Sequence, residues 1–326
     1  MPCCNATFGC RFAASDSRAR HRLGACRGKP PWRLACCTMT CCLVVSAGLA
    51  ALAEEPVRLT HDGAFKFSPS FAARGQEVLY SVHDVPNRVS MVRLRLADKV
   101  IQYVDPSLKA HQLDPIESPD GRFLSYCLSS TSPQTVLVLR DRREQTQSQF
   151  TPTGGRSTAR GPRISPDQTK IVFTVSQAGG QQIASVDVDG GNFRNLTESA
   201  GTNCYADFSP DGKQIAFCSS RGSSFNIYLM DADGGRVRQL TEHPLRDLRP
   251  AWSPDGSQIA FTSVRDGNHE IYLIRTDKTN LRRLTVHPDR DDYPIWHPNG
   301  RQLLIVSERD GDSDLYLINV PYSRKD

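Results

Sequence analysis

An all-β fold is predicted by the sequence: a six-bladed β-propeller of four-stranded blades, with the last blade closed by the N-terminal strand. Three observations predict it. A turn of the type Ser-Pro-Asp-Gly recurs about every 44 residues. Each strong copy is followed by two short apolar runs separated by a glycine-containing loop. The last copy lacks its final strand, and a segment that matches it stands ahead of the first copy.

Residues 1–53 read as a leader. They hold eight of the 11 cysteines (Cys3, Cys4, Cys10, Cys26, Cys36, Cys37, Cys41, Cys42) and seven basic residues against the single acid Asp16. An apolar run, Cys41 to Ala50, then leads to Ala51-Leu52-Ala53. A basic region, a short apolar core and an A-x-A site are the parts of a secretory signal, so cleavage is expected near Ala53-Glu54. The run falls short of the ~20 apolar residues that span a bilayer, and no stable membrane insertion is expected.

Composition agrees with one exported globular domain at 54–326. With 38% hydrophobic and 23% charged residues, the chain is neither a disordered polyelectrolyte nor a multi-pass membrane protein. The formal charge of +5 belongs to the leader. Removing it leaves 33 basic residues against 34 acidic ones, so nucleic acid is not an expected partner. Three cysteines remain, Cys127, Cys204 and Cys218. With a turn at Pro210-Asp211-Gly212-Lys213, Phe208 should oppose Ile215 and Cys204 should oppose Ser219. Cys218 would then point to the other face, since side chains alternate along a strand. Free thiols are therefore expected.

The repeat itself is clearest in Trp252-Ser253-Pro254-Asp255-Gly256-Ser257-Gln258-Ile259-Ala260-Phe261. It recurs from Phe208 and from Trp296, with weaker copies at Ser165-Pro166, Ser118-Pro119 and Ser68-Pro69. An apolar residue ends strand A; proline and glycine make the turn; Ile-Ala-Phe forms strand B. Strand C follows as Ile227–Met230, Ile271–Ile274 and Leu315–Ile318, and strand D ends in Leu-Thr at 196–197, 240–241 and 284–285. Four short strands at this period make a propeller blade. The sixth unit stops after strand C, and Val57-Arg58-Leu59-Thr60 supplies the missing strand, which removes the open edge. From Val57 to Val320 there are 264 residues, six periods of 44.

These motifs, with Arg-Asp-Gly-x-x-x-Ile-Tyr-Leu after strand B, resemble the WD40-like (PD40) repeat of the TolB-type propellers, over the propeller part only. The resemblance implies a periplasmic or secreted, non-catalytic binding scaffold of the cell envelope. Its partner would be an envelope protein, such as a peptidoglycan-associated lipoprotein, or a cell-wall ligand. In that family a separate α/β domain precedes the propeller; no stretch of that size lies between Ala53 and the first blade strand here. A monomer without cofactor, catalytic residue or metal is expected.

Propellers bind across the face built by their B–C and D–A loops. Candidate residues there are Arg221, Arg265, Asp266, Arg309 and Asp310 in the B–C loops. Asp247, Arg249, Asp291 and Asp292 are those of the D–A loops. Together they would ring one face with alternating charge, and arginine forks suit carboxylate-bearing or polar partners. The same residues also serve as ordinary turn and inter-blade contacts. Asp310-x-Asp312-x-Asp314 has the spacing of a calcium loop, but polar residues recur at that spacing in Asp266-x-Asn268-x-Glu270, so the pattern belongs to the repeat. The enzymatic alternative is a metal-dependent lyase acting on acidic polysaccharide. Its candidate ligands, His243 and His287, share one repeat position with His61 nearby, which fits a loop role better. A prolyl-oligopeptidase-type hydrolase would need a Gly-x-Ser-x-Gly elbow, which is absent.

Overall fold

The computed structural model describes residues 55–321, apart from 86, 131–133, 153–156 and 178. The expected leader and its cleavage site lie outside the described residues. The chain folds as four-strand antiparallel meanders, each a sheet in which consecutive strands pair. After β1 (Val57–Arg58) come β2 (Lys66–Ala72), β3 (Glu77–Val85), β4 (Arg88–Arg95) and β5 (Ile101–Tyr103). The second meander is β6 (His111–Glu117), β7 (Phe123–Ser129), β8 (Thr135–Asp141) and β9 (Thr146–Phe150). The third is β10 (Thr158–Ile164), β11 (Lys170–Gln177), β12 (Gly180–Asp187) and β13 (Arg194–Asn195). A parallel contact of Thr158 with Thr135 joins these two into one eight-stranded sheet.

The fourth and fifth are β14 (Asn203–Phe208), β15 (Gln214–Ser219), β16 (Asn226–Asp231), β17 (Arg238–Gln239), and β18 (Asp247–Trp252), β19 (Gln258–Ser263), β20 (Glu270–Arg275), β21 (Arg282–Arg283). The last is β22 (Asp291–Trp296), β23 (Gln302–Ser307) and β24 (Asp314–Asn319). Its fourth strand is β1, antiparallel to β24 with Val57 opposite Leu317.

The repeated residues make repeated bonds. At the A–B turn, Ser253 donates to Asp255 (2.6 Å) and accepts the Gln258 N–H (3.0 Å). Gly256 sits at φ +71, a left-handed conformation that glycine adopts without steric cost. Ser118, Ser165 and Ser209 donate to their own aspartates in the same way. A Leu-Thr pair lies just beyond each of the two-residue outer strands β13, β17 and β21. Thr285 Oγ1 accepts the Ile271 N–H at 2.9 Å and donates to Glu270 at 2.5 Å. Thr241 and Thr197 accept from Ile227 and Ile183.

Thr60 performs this task for the last sheet: it accepts the Leu315 N–H (3.0 Å) and donates to Asp314 (2.6 Å). Leu59 N–H donates to Leu315 O (2.8 Å), as Leu284 does to Ile271 O. Leu59 and Thr60, hundreds of residues away in the chain, thus make on β24 the bonds that Leu284 and Thr285 make on β20.

The core is divided among the spaces between neighbouring sheets. One cluster joins the fourth and fifth meanders through Phe217's neighbours Cys218 and Ile227 with Trp252 and Phe261. Another joins the first and last through Val78, Tyr80, Leu304 and Leu315, with Leu59. The same seam brings His297 to 3.2 Å from Gly75 O, so close that a Cβ on Gly75 would lie 2.9 Å from the imidazole.

Two expectations need correction. Ser68-Pro69 is not the first copy of the A–B turn. It lies inside β2, and the turn is Ala73–Gly75, where Gln76 N–H donates to Ala73 O. The register of Cys204 also differs: Phe208 does oppose Ile215, but Cys204 opposes Cys218, because a bulge between Cys204 and Asp207 adds a residue to β14. The two thiols therefore share one face. All three described cysteines are free and buried.

Candidate functional site

Every innermost strand of a meander carries a bulge. The register shifts fall between Phe67 and Ser70, Leu113 and Ile116, Arg160 and Arg163, Cys204 and Asp207, Leu248 and Ala251, and Asp292 and Ile295. At each bulge one residue takes positive φ: Ser68 (49°), Asp114 (55°), Gly161 (60°), Tyr205 (57°), Arg249 (52°) and Tyr293 (56°). In five of the six the next residue is proline. Proline has no N–H to give to the ladder and is confined to bulges and edges, which explains the break. A non-glycine residue in this conformation costs ~1–2 kcal/mol, and such strain concentrates where a side chain must be aimed.

The bulges aim into a cavity of about 160 Å³ whose wall includes Ser68, Asp114, Arg160, Tyr205, Arg249 and Tyr293, one residue from each meander. Three guanidinium groups stand in it. Arg160 is held by Asp114 (Nε to Oδ2, 2.5 Å), which also accepts from Ser68 and the Gly161 N–H. Burial works against ionising Asp114, but the charge and hydrogen bonds of Arg160 outweigh it and keep the carboxyl below its ordinary range. Arg249 lies between two rings, 4.8 Å from the Tyr205 centroid and 4.1 Å from that of Tyr293, and donates to Asp292 and the Tyr293 hydroxyl. Burial pushes the Tyr205 phenol up to about 12, against the opposing charge of Arg249 and with smaller contributions from Cys204, Tyr293 and Asp292.

Arg163 is the least committed of the three. Its Nη1 donates to Pro162 O, and its Nε stands 3.6 Å from Asp207. Burial lifts the Asp207 carboxyl to about 6, because neither the distant Arg163 nor the Trp252 N–H fully offsets lost water. The cavity therefore offers fixed donors and two aromatic faces, with the Asp207 carboxyl behind Arg163.

The loop candidates are placed differently. Arg265 turns back onto its own sheet: Nη2 bonds both Asp247 oxygens at 3.0 Å, Nε donates to Ser263, and the guanidinium lies 4.7 Å from the Tyr272 ring. Arg309 does the same with Asp291 (2.7 Å) and Ser307, and Arg221 with Ser219 and Asn203 beneath Tyr228. These residues clamp the start of strand A to the end of strand B within one sheet, where the expected ring of alternating charge would need them on the open face. The reason is proximity: both positions lie at the same end of adjacent strands. Asp266 pairs with Arg283 and Tyr272, and the Asp310 side chain lies outside the described residues.

Among the described candidates, Arg249 and Asp292 belong to the cavity wall or its support. Sequence reasoning missed Asp114, Arg160, Arg163, Tyr205 and Tyr293. The periodic proline inside strand A at 69, 115, 162, 250 and 294 was the available signal. In the Asp310-x-Asp312-x-Asp314 stretch, Asp314 is buried and bonded to Thr60, Lys66 and Arg58, as Glu270 is to Thr285 and Arg283. His243 and His287 accept the N–H groups of Leu245 and Asp289 inside their loops.

A family model described as the TolB beta propeller domain matches residues 53–248. The chain belongs to the TolB β-propeller family. A model of the Tricorn protease N-terminal beta propeller domain matches residues 223–322. Among solved structures, one assigned to TolB of Agrobacterium tumefaciens is 22% identical, with TM-score 0.64 over 81% of this chain and 93% of its own. TolB of Acinetobacter baumannii is 24% identical, with TM-score 0.60 over 76% of this chain and 64% of its own. An oligogalacturonate lyase of Vibrio parahaemolyticus is 16% identical, with TM-score 0.56 over 82% and 94%. At these identities the structures share the propeller fold with the TolB-family chain, and the fold alone.

Proposed function

We propose that this TolB-family chain is a six-bladed propeller, latched by its N-terminal strand, that serves as an exported, non-catalytic binding scaffold in the cell envelope. The carrying observation is the central cavity, to which each meander contributes one bulge residue and which presents Arg160, Arg163 and Arg249 beside Tyr205 and Tyr293. Fixed guanidinium forks and aromatic faces suit a carboxylate-bearing or polar group of a protein or cell-wall ligand. A lipoprotein associated with peptidoglycan is one such partner. The latch reading is supported by Thr60 and Leu59 taking the bonds that Thr285 and Leu284 take one sheet earlier. Periplasmic or secreted placement follows the family and the expected leader; among the described residues no helix is long and apolar enough to cross a membrane.

The test is affinity capture from an envelope extract, comparing the wild-type chain with Arg163→Ala and Tyr205→Ala. Both changes leave the Arg249–Asp292 pair in place. A partner retained by the wild type and lost from the variants is the expected result. Equal retention by all three would move the binding surface elsewhere. Chelator-sensitive release of unsaturated products from oligogalacturonate would replace the scaffold reading with the lyase.

A further inference from the structure

The bulge that aims Tyr205 into the cavity also sets two thiols side by side. Cys204 stands directly opposite Cys218 in the β14–β15 ladder, and side chains of directly opposed residues lie on the same face of a sheet. Ser220 N–H donates to Thr202 O two positions away. Hydrogen-bonded pairs alternate along an antiparallel ladder, so Cys204 and Cys218 form one, with Cα atoms ~5.5 Å apart. Disulfides bridge Cα separations of ~4.4–6.8 Å with Cβ atoms ~3.5–4.5 Å apart, so the bond draws this pair together by ~1 Å from its ladder spacing of ~4.5–5.5 Å. The ladder around them is pinned by Ser219 donating to Asn203 (2.7 Å) and Thr202 N–H donating to Ser220 (2.9 Å). Cys127 has no such partner: Leu113 and Leu137 oppose it.

Access differs between the two. Cys204 lines the cavity at 6% exposure, while Cys218 is fully buried and donates to Asp247 O at 3.3 Å. We propose that Cys204 and Cys218 are the site of a cross-strand disulfide that forms when the folded chain meets a disulfide oxidant, entering through the cavity. The Cys204 thiolate attacks one sulfur of a small disulfide such as oxidised glutathione and expels one thiol. Cys218, giving up its proton, then displaces the second thiol from the mixed disulfide. Two protein thiols are oxidised and one external disulfide is reduced to two thiols. Burial, and then the neighbouring Cys204 thiol, raise the Cys218 pKa well above its ordinary value, so the second step is the slow one and quickens with rising pH. The product ties the residue before Tyr205 to the next strand and fixes one wall of the cavity. This site stands independently of the scaffold reading.

The experiment incubates the native full-length chain with glutathione disulfide at mildly alkaline pH, then denatures, alkylates and digests it with trypsin. Cleavage after Lys213 separates the two cysteines into peptides 195–213 and 214–221. The expected result is recovery of these two joined by a reducible bond, with Cys127 alkylated in peptide 123–140. In Cys218→Ser, glutathione should remain on Cys204 and no joined peptides should appear. The oxidised wild type should also melt several degrees above its reduced form. Alkylated Cys204 and Cys218 after native incubation would overturn the proposal, and so would a glutathione adduct that persists on Cys204 in the wild type.

Discussion

Replacing Asp314 with asparagine removes one charge from the latch and nothing from its shape. Asp314 and Lys66 are both fully buried and 2.9 Å apart, and Arg58 and Thr60 donate to the same carboxylate. Three of these four residues come from the N-terminal segment, and Asp314 comes from the last strand. Removing one partner of a buried pair leaves the other charge uncompensated and costs ~3–5 kcal/mol. Asp62 and the carbonyls of Ala64 and Ser313 still reach Lys66, which favours the lower end. For a chain of this size each kcal/mol moves the melting temperature by ~2–4 °C, so a fall of roughly 6–20 °C is expected.

The pH dependence follows from direction. Burial pushes the Asp314 carboxyl upward, but the bonds from Thr60, Lys66 and Arg58 outweigh it and hold it below its ordinary value. Its contribution is therefore complete above the unfolded value of ~3.9 and is lost as pH falls through the folded one. Urea unfolding of both proteins, followed by the buried Trp252 and Trp296, should show a gap at about pH 7 that narrows below about pH 4. A gap under ~1 kcal/mol, the size of an exposed pair, would refute the buried latch. So would a gap equally wide in acid.

Arg265→Glu would set a second carboxylate against Asp247, which is fully buried; a loss of ~3–5 kcal/mol in denaturant unfolding is expected, with fold and any capture failing together. Asp207→Asn should stabilise the protein at neutral pH. The folded carboxyl binds its proton up to about 6, so wild-type stability falls as pH rises from the unfolded value of ~3.9 to that point, and a pH series of melting temperatures should lose this slope in the variant. Thr285→Ala removes the acceptor for Ile271 N–H and a donor to Glu270; ~1–3 kcal/mol should be lost, since a buried donor is left unmet. Gly75→Ala should destabilise through both its φ of +91° and the His297 ring beside it, and differential scanning calorimetry would show it.

The strand plan was legible because turns are local. Ser253, Asp255 and Gly256 bond to one another and to Ser257 and Gln258 just beyond them, so the short motif carries its own geometry wherever it stands. The Leu-Thr pair bonds to a strand 14 residues back, so it is legible by recurrence, and Leu59-Thr60 makes the same bonds to Leu315. The cavity was much less legible. Arg160 and Arg163 show no repeat motif, and Ser68-Pro69 passes for a turn when only the dipeptide is read. The loop arginines misled for the opposite reason: their recurrence is real, but it serves a clamp inside each sheet.

By itself, then, the sequence determined the period, the turn chemistry and the apolar runs that become the buried middle strands of each sheet. Each of these is written in neighbouring residues or in exact repetition. Only the tertiary structure decided which side chains meet in the middle and which cysteines face one another. A single extra residue at each bulge resets the pairing beyond it, and which side chains then meet depends on how the bulged strands pack around one cavity.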